Sequence, residues 1–144
     1  MDTDPMTDKI NYFIFESSTN EVDNSIGMLK KGNLGFKSND LEGANKIQIL
    51  LYTPSYNGSD SQEITYRFDK KPAQSSRWGG IRSGKGFWTK GSKADSFVKD
   101  IMSHKKLLMQ WRTWPSGIET LSFDLQDLKK EIRTAKAQGC DFKF

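Results

Sequence analysis

The chain has one cysteine, Cys140, and one histidine, His104, among its 144 residues. A single thiol cannot close an internal disulfide, so nothing in the fold depends on an oxidising compartment. One cysteine and one histidine fall short of the three or four nitrogen and sulfur ligands of a zinc site, and no cofactor is implied. No apolar run approaches the roughly eighteen residues that span a bilayer. The first residues, Met1-Asp2-Thr3-Asp4-Pro5-Met6, are acidic and polar, unlike the basic-then-apolar layout of a secretory signal. The chain as it begins therefore reads as cytoplasmic, and as periplasmic if a signal has been removed, with residues 1–9 a disordered leader. Aromatics are plentiful, with nine Phe, four Trp and four Tyr, which argues for a packed core over disorder.

Strand signals dominate. Asn11 to Glu16 is aromatic and β-branched and is closed by Ser17-Ser18-Thr19-Asn20; a second strand is expected over Ser25 to Leu29. Gly32, Asn33, Gly35 and Ser38-Asn39-Asp40 read as turns, and Lys46 to Tyr52 as a central strand. Glu63 to Phe68 alternates with period two and is expected to pair with that strand as a hairpin. Ser92 to Ser103 changes to helical spacing, with Ala94, Phe97, Val98, Ile101 and Met102 on one face and Ser92 as N-cap. Leu107 to Arg112 and Ile118 to Phe123 read as strands joined by a turn at Pro115-Ser116-Gly117. Asp124 is expected to cap a second helix with Leu125, Leu128, Ile132 and Ala135 as its apolar stripe, ended by Gly139. The expected fold class is α+β: one β-rich domain over residues 10–144, an antiparallel sheet or sandwich with two amphipathic helices.

Candidate chemistry is sparse. Gly79 to Lys85 nearly spells a phosphate-binding loop, but Gly86 offers no hydroxyl for magnesium and no helix follows, so a glycine-rich hairpin turn is the better account. His104 has no marked nucleophile or orienting partner and reads as an exposed residue at a helix C-terminus. Cys140 reads as a small buried hydrophobe. No carboxylate pair with a motif stands out, so no enzymatic activity is expected.

Charge is segregated along the chain. The net charge of +4 resolves into −4 over residues 1–68, +8 over residues 69–112 and 0 over residues 113–144. The basic third also holds Trp78, Phe87, Trp88 and Trp111. These aromatics fit a core with lysine and arginine on the alternate wet face, or stacking platforms of a nucleic-acid binder. The expected binding patch is Arg77, Trp78, Arg82, Lys85, Trp88 and Lys90 on a glycine-rich hairpin, because arginine and tryptophan are common binding anchors.

Beyond these local signals, Ile64 to Asp69 with Pro72-Ala73 and Trp78, then Gly84 to Phe87, Phe97 with Ile101, Leu107 to Arg112 and Phe123-Asp124-Leu125-Gln126-Asp127-Leu128 follow one another in a suggestive order. Upstream lie Phe15-Glu16-Ser17-Ser18 and Asp23-Asn24-Ser25. This pattern resembles the VasI family of accessory proteins associated with type VI secretion, over nearly the whole chain. The resemblance implies a small non-enzymatic domain that binds another protein, and it carries over no catalytic residue. Family members begin with a secretory signal and carry a cysteine in the strand matching Ile47 to Tyr52, able to pair with the C-terminal one; here that strand has none. The alternative expectation is a phage- or plasmid-encoded nucleic-acid-binding or counter-defence protein using the same basic segment.

Overall fold

The computed structural model describes residues 2–3, 10–11, 13–23, 29–39, 46–113, 117–139 and 142. In chain order the elements are β1 (Asp2–Thr3), β2 (Ile10–Asn11), β3 (Phe13–Ser17), β4 (Val22–Asp23), β5 (Leu29–Lys30), β6 (Asn33–Asn39) and β7 (Lys46–Tyr52). There follow β8 (Gln62–Phe68), β9 (Gln74–Gly80), β10 (Gly86–Lys90), α1 (Ser92–Ser103), β11 (Lys106–Thr113), β12 (Gly117–Asp124) and α2 (Gln126–Ala137). Eight strands form one antiparallel sheet in the order β12-β11-β8-β9-β10-β7-β6-β3. The fold is therefore the α+β, β-rich domain that the pattern implies.

Period two explains which face is buried. Ile47, Ile49 and Leu51 of β7, Ile64 and Phe68 of β8, Leu107, Met109 and Trp111 of β11, and Leu121 and Phe123 of β12 all point inward and are buried. Both helices lay their apolar stripes against this interior. Phe97 of α1 sits among Tyr66, Phe68 and Trp78 with ring centroids 5.2, 5.5 and 5.5 Å away. Leu128, Ile132 and Ala135 of α2 are buried.

The sheet curls until its two ends meet. The chain leaving edge strand β3 crosses to the opposite edge strand β12, where Thr19 N–H donates to the Ser122 carbonyl at 2.7 Å. Asn20 continues the seam: its Oδ1 accepts Ser122 N–H at 2.8 Å and its Nδ2 donates to the Thr120 carbonyl at 3.0 Å. These bonds occupy backbone groups that an open edge would offer to other chains. Gly32 is required at the same seam, since a Cβ there would lie 2.2 Å from Leu121 Cδ1.

Several expectations change. The run from Gly32 to Asn39 is not a set of turns: β6 pairs with β3 and β7 on its two sides, driven by the inward alternation of Leu34 and Phe36. Strand β8 does not form a hairpin with β7. It pairs with β9 and β11, and β7 pairs with β6 and β10. The connection over residues 53–61 is long enough to cross the three strand spacings, about 14 Å, between β7 and β8, which β9 and β10 later fill. Gly91, not Ser92, is the N-cap of α1, and it makes no side-chain cap. Leu125 is the N-cap residue of α2, although Asp124 Oδ1 does accept Gln126 N–H at 3.0 Å. His104 is 8% exposed, not solvated: its ring stacks on Phe68 at 5.0 Å and its Nδ1 lies 2.6 Å from the Asp100 carbonyl. Asp2 and Thr3 pair with Asn11 and Ile10, so this part of the leader carries a short ladder. Residues 4–9, most of the expected strand over residues 25–29, the turn residues Pro115 and Ser116, and Cys140 lie outside the described residues.

Candidate binding surface

Strands β9 and β10 form the glycine-rich hairpin. Gly79 faces Trp88 and Gly80 faces Phe87 across the ladder. The turn closes by Gly84 N–H to the Ile81 carbonyl at 2.8 Å and Ile81 N–H to the Gly86 carbonyl at 3.0 Å. Gly84 takes a positive φ of 77° and sits on Tyr56, whose ring a Cβ would meet at 2.2 Å. Both facts demand glycine there.

Alternation then sorts the expected binding residues. Trp78 points inward, is 2% exposed and packs edge-on against Phe97. Its place in the proposed patch is therefore corrected: it is a core residue, and no partner can reach it without opening the domain. Arg77, Trp88 and Lys90 fall on the outer face. The Trp88 indole lies over Gly79, where a Cβ would come within 2.3 Å of the ring, and Lys90 Nζ sits 5.7 Å from the ring centroid. Arg77 Nη1 donates to the Ser61 carbonyl at 3.2 Å and to Ser61 Oγ at 3.1 Å. From the first turn of α1, Lys93 Nζ donates to the Arg77 carbonyl at 3.3 Å. Arg77, Trp88, Lys90 and Lys93 thus border one shallow depression of about 480 Å³.

Arg82 and Lys85 are exposed at the other end of the hairpin. Lys85 lies three residues before Trp88, roughly 10 Å along the strand. The expected patch is two clusters, a ledge at the hairpin base and a pair of cations at its tip, and Lys93 belongs to the first. Sequence reasoning missed Lys93 because it contributes from a helix. Its position two residues beyond the strand-to-helix glycine, Gly91, was the available signal.

A second group went unnoticed in the sequence. The connection over residues 53–61 passes beneath the hairpin tip, where Asn57 N–H donates to the Gly84 carbonyl at 2.7 Å and Thr53 N–H to the Lys85 carbonyl at 3.1 Å. Inside this connection Ser55 Oγ donates to Glu119 Oε2 at 2.5 Å, and Asn57 Nδ2 donates to the Ser55 carbonyl at 2.9 Å. Glu119 is 6% exposed and directly opposes Trp111 across β11 and β12. Its Oε1 and the Trp111 indole N–H have no partner of hydrogen-bond geometry. Burial pushes the Glu119 carboxyl above the usual carboxylate range, offset in part by the Ser55 hydroxyl and amide and by the nearby indole N–H. The signal was present: Glu119 shares the inward phase of Leu121 and Phe123.

The folded state holds the Glu119 proton more tightly than the unfolded chain, so stability falls as pH rises from the ordinary glutamate value through the raised one. Glu119→Gln keeps an acceptor oxygen for Ser55 and removes the buried charge. It is expected to raise stability at pH 7 by about 1 kcal/mol. In urea unfolding the gain should shrink as pH falls toward 4, and a gain that is the same at both pH values would refute the account.

Acidic groups gather elsewhere. Glu16 is held above its ordinary range by burial, then by the charges of Asp127, Glu131 and Asp124, where β3 meets α2. Three of these four acids come from residues 113–144, whose net charge is 0, so the fold gathers acids that the linear sum does not set apart. Among the described residues no group of three or more histidine, cysteine or carboxylate side chains is arranged to hold a metal ion, and no helix is long and apolar enough to cross a membrane. The chain matches no protein-family model, no curated protein and no solved structure.

Proposed function

We propose that this chain is a non-enzymatic interaction domain that binds another protein, through an acidic surface of that protein, at the ledge formed by Arg77, Trp88, Lys90 and Lys93. The observation that carries this reading is the convergence of three cations and one half-buried tryptophan, from β9, β10 and α1, on one side of a sheet whose other side is core. A tryptophan flanked by arginine and lysine is a common composition for a binding anchor. The resemblance to type VI secretion accessory proteins agrees with it and suggests, as part of the same proposal, a partner in that apparatus.

Trp88 favours protein over single-stranded nucleic acid. Base stacking needs an open aromatic face. One face of this indole lies on Gly79 and Lys90 stands over the ring, so a base would have to displace the lysine. In pull-downs from the source organism, Arg77→Glu/Lys90→Glu is expected to lower partner recovery about tenfold or more, and Arg82→Glu/Lys85→Glu to lower it much less. Unchanged recovery with the first pair would remove the ledge. Retention of the wild type on nucleic acid at low salt, lost steeply as salt rises, would replace the protein reading with the nucleic-acid one.

A further inference from the structure

The outer face carries a second depression, of about 610 Å³, where β8, β11 and β12 run side by side. Leu108 lies on its floor. It belongs to the wet phase of β11, with Gln110 and Arg112, yet it is apolar and 42% exposed. Its register partners are Arg67 on β8 and Ser122 on β12. Lys70, Lys105 and Lys106 complete the border, and all three are exposed.

Two carboxylates also border the depression, and both are turned to backbone. Asp69 accepts Lys105 N–H at 3.1 Å and Lys106 N–H at 2.9 Å. Asp124 accepts Gln126 N–H. Four cations therefore surround one exposed leucine, with the nearby acids already engaged by amides. Leu108 is roughly 16 Å from Arg77, counting four residues along the strand and two strand spacings across. The depression is thus separate from the ledge.

We propose that this depression is a second binding site, which takes an acidic peptide segment of a partner protein. An apolar side chain of the peptide rests on Leu108, and flanking carboxylates face Arg67, Lys70, Lys105 and Lys106. Charge complementarity selects an acidic occupant. The leucine selects one with an apolar side chain between its charges, which a sugar-phosphate backbone does not supply. Lysine stems lie along apolar surface while their ammonium groups stay in water, so the border itself widens the apolar floor. The volume suits a few side chains.

The test is panning of a phage-displayed library of random peptides on the whole chain, followed by anisotropy titration of the enriched peptide. Enriched peptides are expected to carry an apolar residue between Asp or Glu residues. Lys105→Glu/Lys106→Glu is expected to weaken their binding about tenfold and Leu108→Gln about fivefold. These substitutions leave the amides that hold Asp69 in place. Lys130→Glu/Arg133→Glu, on the exposed side of α2, makes the same change in net charge and should alter affinity less than about twofold. No enrichment, enrichment of peptides without acids, or equal weakening by the α2 pair overturns the proposal. Weakening by Arg77→Glu/Lys90→Glu alone would assign the peptide to the ledge and end the case for a second site. Displacement of the peptide by single-stranded DNA with a steep salt dependence would assign the depression to nucleic acid.

Discussion

Trp78→Ala is expected to cost about 3–5 kcal/mol, the range for truncating a large buried aromatic side chain. Folded domains have a total stability of about 5–15 kcal/mol, so the variant should melt roughly 10 °C or more below the wild type. The cause is local and specific. Trp78 is 2% exposed and meets Phe97 edge-on at 5.5 Å, so its loss leaves a void between β9 and α1 that the aromatic group of Tyr66, Phe68 and Phe97 cannot fill. Trp88→Ala, on the neighbouring strand β10 and on the outer face, should cost far less stability and act on binding. Thermal melting of both variants separates the roles. A Trp78→Ala protein that melts within a degree or two of wild type would mean that Trp78 is a surface anchor after all.

Gly80→Ala is expected to be the most damaging single methyl in the hairpin. A Cβ at Gly80 would lie 2.4 Å from the Ser59 carbonyl oxygen and 2.6 Å from that of Asp60. Backbone cannot swing aside as a side chain can, and this segment leads directly into β8, with Ser61 holding Arg77. The expected cost is about 3 kcal/mol, at the upper end for overpacking. Its neighbour makes the control. A Cβ at Gly79 would strike the Trp88 indole at 2.3 Å, and that ring is at the surface and can move outward. Gly79→Ala should therefore cost about 1 kcal/mol or less while dismantling the ledge. Urea midpoints of the two variants give the comparison, and equal losses would contradict the geometry.

Much of the secondary structure was legible because local periodicity decides it. Lys46 to Tyr52 alternates and becomes β7; Ser92 to Ser103 repeats at helical spacing and becomes α1 with the same ends. β6 was not legible, because Gly32, Asn33, Gly35, Ser38 and Asn39 are turn residues by composition. Pairing on both sides outweighs that preference. The partner of β8 was not legible either, since a nine-residue connection is compatible with a hairpin or with a crossing. His104 was misread for a similar reason: its sequence neighbours are polar, and its contact, Phe68, is far away along the chain.

By itself the sequence determined the fold class, the two helices, the hairpin and the concentration of positive charge in residues 69–112, all of which depend on residues close in the chain. Tertiary structure decided which of those charges act together. Strand phase buried Trp78 and turned the half-buried Trp88 to the outer face, and the start of α1 brought Lys93 to Arg77. Pairing of β8 with β11 set Leu108 beside Arg67. A binding surface is made by residues that share a face, and face sharing across strands depends on register and strand order, which short-range sequence patterns do not encode.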